Sequence, residues 1–200
     1  VASFAFSQQI AEFLARPIGG LSAMESIDVT ENVTAFMKIS LLSGVVLALP
    51  VILYQVFAFI LPGLHADEKK WVWFMLPLAT LFFAAGVAFS YFLLLPNALP
   101  FLLNFMGIET IPRPNSYFPF VVSLLFWMGA AFEFPLVIFI LARLGLVNAR
   151  ALASQWRLAI VIIAILSALI TTTTDPANMA LMMLPLTVLY FLSIGLAYVG

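Results

Sequence analysis

The sequence has no cysteine and a single histidine, His65. Disulfides, thiolate metal sites, thiol nucleophiles and multi-histidine metal centres are thereby excluded. Charge is almost as scarce. Eight basic and nine acidic residues make up 8% of the 200, with a formal net charge of −1. Soluble domains carry about 25% charged residues, so this chain cannot cover a water-facing surface. It also lacks the basic face of a nucleic-acid binder and the low hydrophobicity of a disordered chain. No HExxH, GxSxG or P-loop pattern occurs, and no pair of carboxylates sits within an apolar run. Neither a cofactor, a metal nor an enzymatic activity is expected.

Apolar residues fill the space: 64% are hydrophobic and the mean hydropathy is +1.17. The solvent for most of this chain is lipid. A membrane span needs about 20 largely apolar residues to cross ~30 Å. The chain shows no period-two alternation of the barrel kind, so an all-α, polytopic membrane bundle is expected.

Apolar runs and punctuation divide this single membrane domain. Residues 1–6 read as the end of a first span whose beginning is missing, and 7–38 as an outer segment containing a weakly amphipathic helix. Span 2 is placed at 39–62, a cytoplasmic loop at 63–70 and span 3 at 71–95, ended by Pro96, Asn97 and Pro100. An outer cap (96–116), span 4 (117–142), a cytoplasmic loop (143–156), a short span 5 (157–171), an outer turn (172–177) and span 6 (178–199) complete five full spans. Leu158 to Ile170 covers only about 20 Å, a mismatch that local bilayer thinning or sheltering neighbours would accommodate.

Lys69, Lys70, Arg143, Arg150 and Arg157 fall on one side of this thread, and Arg16, Lys38 and Arg113 on the other. The excess places the first set, and the C-terminus, in the cytoplasm. Trp71, Trp73 and Trp156 then sit at the cytoplasmic interface, where indoles prefer to lie.

Glu133, in GAAFEFPL, is the most informative residue. It lies about 13 Å into the membrane from the end of its span. An ionisable group there costs at least ~2.5–3.5 kcal/mol and usually faces a cavity or a partner. It marks either a functional site or a protonated carboxyl that serves packing. Pro135 removes one helix hydrogen bond nearby and favours a kink. Glu68, in LHADEKKW, serves either the helix dipole or, beside Asp67, the pairing of a visiting guanidinium. Asp175 fits a helix cap before Pro176. Tyr54, Phe57 and Phe59 have the spacing of helix packing.

Five blocks resemble the TatC family, the receptor subunits of the twin-arginine protein translocase. They are PVILYQVFAFILPGLHADEKK, YFLLLPNALPFLL, SYFPFV, GAAFEFPL and TDPANMALMMLPLTVLYFLSI. The resemblance implies a six-span concave wall, truncated here in its first span, in the cytoplasmic membrane. It implies binding of twin-arginine signal peptides of folded precursors, an oligomeric complex with TatB and TatA, and transport driven by the proton-motive force. Phe59 and Glu68 match the family's signal-recognition positions, Glu133 its membrane-embedded glutamate, and Asp175 an acidic residue of the last outer turn, a partner or structural position like Pro135. The family's N-terminal acidic cytoplasmic segment is not in this sequence. Met179 stands where many members have glutamine and Phe191 where many have glutamate. A different class, a proton- or ion-coupled small-molecule carrier built around Glu133, would show repeated halves, and the sequence shows no such repeat.

Overall fold

A computed structural model describes residues 4, 6–28, 30–60, 69–104, 110–143, 145–170 and 176–199, leaving aside the side chains of 57, 59, 60, 69–75, 176–178 and 199. All regular structure among the described residues is helical. Helix α1 (Ser7–Ala15) runs into a 3-10 turn, Arg16–Ile18, and a second such turn follows at Leu21–Ala23. The remaining helices are α2 (Glu31–Ile60), α3 (Lys69–Phe89), α4 (Leu95–Leu103), α5 (Pro114–Arg143), α6 (Ala149–Ser154), α7 (Trp156–Ile170) and α8 (Pro176–Val199). Among the described residues, four stretches are long and apolar enough to span a membrane: Glu31–Val56, Leu76–Leu103, Pro114–Arg143 and Met179–Tyr198; α7 is a shorter apolar helix. At 15 residues it extends only about 22 Å.

Several boundaries differ from the sequence reading; the helix of span 4 begins at Pro114, not residue 117. Span 2 begins at Glu31, not residue 39, because the charges at its start serve the helix. Buried Glu31 accepts from Ile27 N–H at 3.1 Å, placing an anion at the positive end of the helix dipole. Nor does the helix of span 3 end before Pro96. It passes through a π-turn, Ser90–Leu94, directly into α4. Leu95 N–H donates to Ser90 C=O across the wide turn, and Pro96 then falls in the first turn of α4, where a missing N–H is tolerated. The segment read as the 143–156 loop also contains the short helix α6, capped by Asn148 Oδ1, which accepts from Arg150 N–H at 3.0 Å.

Prolines 50, 77, 119, 135 and 185 lie inside helices that continue past them. In lipid an unbroken helix satisfies nearly every backbone group, whereas an exposed irregular segment leaves several unsatisfied. Helix ends are closed with equal economy. Gly145 (φ 70°) donates to Ala142 C=O and Leu146 N–H to Leu141 C=O, ending α5. Gly19 (φ 95°) and Gly20 do the same for α1, through Arg16 and Ala15 carbonyls. Both are left-handed glycine caps with the paired bonds of a Schellman motif.

Helix α5 is the centre of the bundle, packed on α2, α3 and α8. It crosses α3 at a glycine pair. A Cβ on Gly86 would lie 2.7 Å from Met128 C=O, and one on Gly129 would collide with the Phe83 ring. Small residues at such crossings let helix backbones approach in the absence of a hydrophobic drive. Buried Ile39, Leu95, Val121, Val122 and Met128 form the main core on one side of this crossing, and Ala79 with Leu136 a smaller cluster on the other. Serine hydroxyls buried in the spans mostly donate to their own helix: Ser40 to Phe36, Ser167 to Ile163 and Ser193 to Leu189, a local partner always available to such side chains.

Candidate functional site

Of the residues singled out from sequence, Glu133 is placed most informatively. It is 8% exposed and lies one turn from both Gly129 and Leu136, which pack on Phe83 and Ala79 of α3. Residues spaced three and four apart share a helix face, so Glu133 belongs to the α3-facing side of α5. It does not point into the surrounding lipid. Ten residues separate it from the end of α5 at Arg143, about 15 Å along the axis. Its Oε1 is buried with no hydrogen-bond partner among the described residues. Such an atom costs free energy until a donor reaches it, so this carboxyl is equipped to receive one. Pro135, two residues on, is fully buried.

Ser90 Oγ shares that unpaired state. It opens the π-turn, 0% exposed. Antiparallel register across the Gly86–Gly129 crossing sets Ser90 on one side of it and Glu133 on the other. The sequence reading passed over this serine, since nothing in SYFLLLP marks a π-turn.

Phe59 lies in the last turn of α2, its side chain outside the described residues. Glu68 and Asp175 are also outside them. Met179 and Phe191 both lie on α8, and Phe191 is 51% exposed.

Cavities border these helices, three of which lie among the described residues as follows. One, of about 470 Å³, separates α5 from α7 and α8; Trp127, Ala131, Phe134, Ile162 and Leu189 line it, with Gln155 as a polar member. A second, of about 320 Å³, lies among α1, α2 and α3. A third, of about 560 Å³, lies between the 3-10 turn and α4. Glu133 lines none of the three. No cluster of three or more His, Cys, Asp or Glu could hold a metal among the described residues.

Three tyrosine contacts were also missed, two of them at α1 and one at α6. Tyr91 O–H donates to Phe13 C=O at 2.7 Å and Tyr117 O–H to Leu14 C=O at 2.8 Å, docking α1 on the bundle. Tyr190 O–H donates to Leu152 C=O at 2.7 Å, holding α6 against α8. A tyrosine inside an apolar run is the available signal, because a buried phenol needs a partner.

The family profile described as Sec-independent protein translocase protein (TatC) matches residues 1–185. A Deinococcus radiodurans relative, "Sec-independent protein translocase protein TatC", is 45% identical over 159 residues, 78% of this chain and 59% of that protein. A Koribacter versatilis protein of the same name is 35% identical over 200 residues, 96% of this chain and 73% of its own length. A chloroplastic protein of Pisum sativum, also named TatC, is 34% identical over 191 residues, 94% and 54%. Among these relatives, then, the chain spans between about half and three quarters of the full length. A solved structure described as "Crystal Structure of Twin Arginine Translocase Receptor- TatC" aligns with a TM-score of 0.87 at 35% identity, covering 99% of this chain and 89% of that one.

Proposed function

The chain belongs to the TatC family of Sec-independent protein translocase proteins, and from that premise we propose that it is the receptor and core subunit of a twin-arginine translocase. It binds the twin-arginine signal peptides of folded precursors and assembles with TatB and TatA in an oligomeric complex driven by the proton-motive force. The observation that carries this reading is the likeness, over nearly the whole chain, to the solved twin-arginine translocase receptor. The complex resides in the cytoplasmic membrane, with the C-terminus of this chain cytoplasmic; the distribution of Lys and Arg among the loops supports that orientation.

Glu68 and Phe59 form the signal-peptide site in the first cytoplasmic loop and the adjoining helix end. A carboxylate on that face can take a guanidinium in bidentate pairing, stronger than a neutral hydrogen bond, and an aromatic ring beside it can receive the apolar part of the signal. Glu133 takes a polar group of an arriving helix on its unpaired oxygen. Asp175 and Pro135 shape the last outer turn and the kink beside Glu133.

The test is crosslinking of a twin-arginine signal peptide to the full-length protein in membranes. Photoreactive groups in the peptide should label the loop around Glu68, and the label should fall when both arginines become lysines, because an ammonium cannot replace a fork of N–H donors. Labelling indifferent to that exchange overturns the receptor assignment.

A further inference from the structure

The 560 Å³ cavity at the α1 end carries a site that none of the residues above uses. Its polar members include Arg16 and Asn104, while Phe92, Pro96, Leu99 and Leu103 give it an apolar wall. That volume is within the range of small-molecule sites, about 300–1,000 Å³.

Arg16 is held in place by stacking. Its guanidinium carbon lies 5.4 Å from the centre of the Phe13 ring. Phe13 in turn stacks on Tyr91 at 4.4 Å and 11°, and Tyr91 meets Phe92 edge-on at 5.0 Å. The backbone is fixed as well. Pro17 has no N–H to give the Phe13 carbonyl, which accepts from Arg16 N–H and Tyr91 O–H. Gly19 then closes the turn with its bond to Arg16 C=O.

What Arg16 lacks is an anion. Glu12, one turn earlier on α1, accepts from Gln8 Nε2 at 3.3 Å. No carboxylate pairs with Arg16 among the described residues. A guanidinium presents five donors in a planar fork suited to phosphate. The wall beside it leads to Phe92, which is 70% exposed on a stretch, Leu76–Leu103, long and apolar enough to cross a membrane. Pro96 and Pro100 offer ring methylenes and no N–H on this side. An anionic head held by Arg16 with an apolar tail running past Phe92 fits all of these features. A free anion would leave the apolar wall unused.

We propose that this cavity binds an anionic phospholipid from the leaflet on the α1 side, its phosphate on Arg16 beside Asn104 and an acyl chain along Phe92, Leu99 and Leu103. The site would fasten α1 and its turn to the bilayer. It does not depend on the receptor reading.

Native mass spectrometry of the full-length protein, delipidated in detergent and titrated with phosphatidylglycerol, tests it. One phosphatidylglycerol should be retained in preference to phosphatidylcholine. Arg16→Gln should weaken that retention about tenfold or more, the usual scale for losing a charge-assisted bond, and Arg16→Lys should restore part of it. Phe92→Ala, which alters an exposed ring and not the fold, should also weaken it. Arg157→Gln, at the α7 end, should leave it unchanged. The proposal is overturned if Arg16→Gln retains the lipid as well as the parent, if Arg157→Gln loses it equally, or if inorganic phosphate alone displaces it.

Discussion

Tyr91 and Tyr117, carried by two different segments of the bundle, donate hydrogen bonds to consecutive carbonyls of α1, those of Phe13 and Leu14. The end of α1 is thus tied at two adjacent points, once from the π-turn and once from α5. Replacing either phenol by phenylalanine removes one tie without changing shape. Tyr117→Phe should cost about 1–3 kcal/mol, because the buried Leu14 carbonyl then loses its side-chain donor, and Tyr91→Phe about 0.5–1.5 kcal/mol. Limited proteolysis between residues 16 and 30 should accelerate in both, and thermal unfolding in detergent should give the order.

The glycine crossing makes a sharper prediction. Gly86→Ala puts a methyl group 2.7 Å from a backbone carbonyl of α5, and backbone cannot swing aside as a long side chain can. Forcing α3 and α5 apart should cost about 1–3 kcal/mol, as overpacking generally does. Gly195→Ala on α8, where an added Cβ meets nothing within 4 Å, is the control and should be neutral or slightly stabilising. Equal melting temperatures for the two variants would refute the close crossing.

Glu133→Gln separates function from packing. Because Oε1 has no partner among the described residues, the amide leaves that oxygen's surroundings as they are and removes an ionisable group from the membrane. Stability should stay level or rise by up to about 3 kcal/mol. Export of a twin-arginine precursor should fall, since the proposed donor from an arriving helix would meet an altered acceptor. Unchanged export with altered stability would assign Glu133 to packing alone.

Asn148→Ala removes the side-chain cap of α6 and should cost about 1 kcal/mol. The loss should remain local, because Tyr190 still holds Leu152. Hydrogen exchange at residues 149–152 should quicken while α5 and α8 keep their protection.

The bundle itself was legible because lipid imposes a simple rule, long charge-free runs folded as helices. Glu133 was legible for the same reason: one carboxyl within such a run stands out, and the structure buries it against α3. The end of span 3 was not legible. Pro96 and Pro100 read as punctuation, yet a π-turn shifts Pro96 into a helical first turn where it breaks nothing. The start of α2 was obscured by charges that turn out to serve its N-terminus. Glu68, Phe59 and Asp175 could be reached only through likeness to a family, since an acid in a loop or an aromatic at helical spacing has many ordinary uses. Gly86, Ser90 and Arg16 take their meaning from partners, or missing partners, far away in sequence.

The additional residue in the turn at Ser90–Leu94 works as a phase adjuster. Each residue advances a helix by about 100°, so one inserted position re-aims everything after it. With it, Leu95 and Leu99 enter the core at 0% and 4% exposure, while Pro96 and Pro100 face outward. Wound as plain α-helix, the same residues would carry Leu95 and Leu99 about 100° round to the outward slots that Pro96 and Pro100 now hold, and the Arg16 cavity would lose its floor.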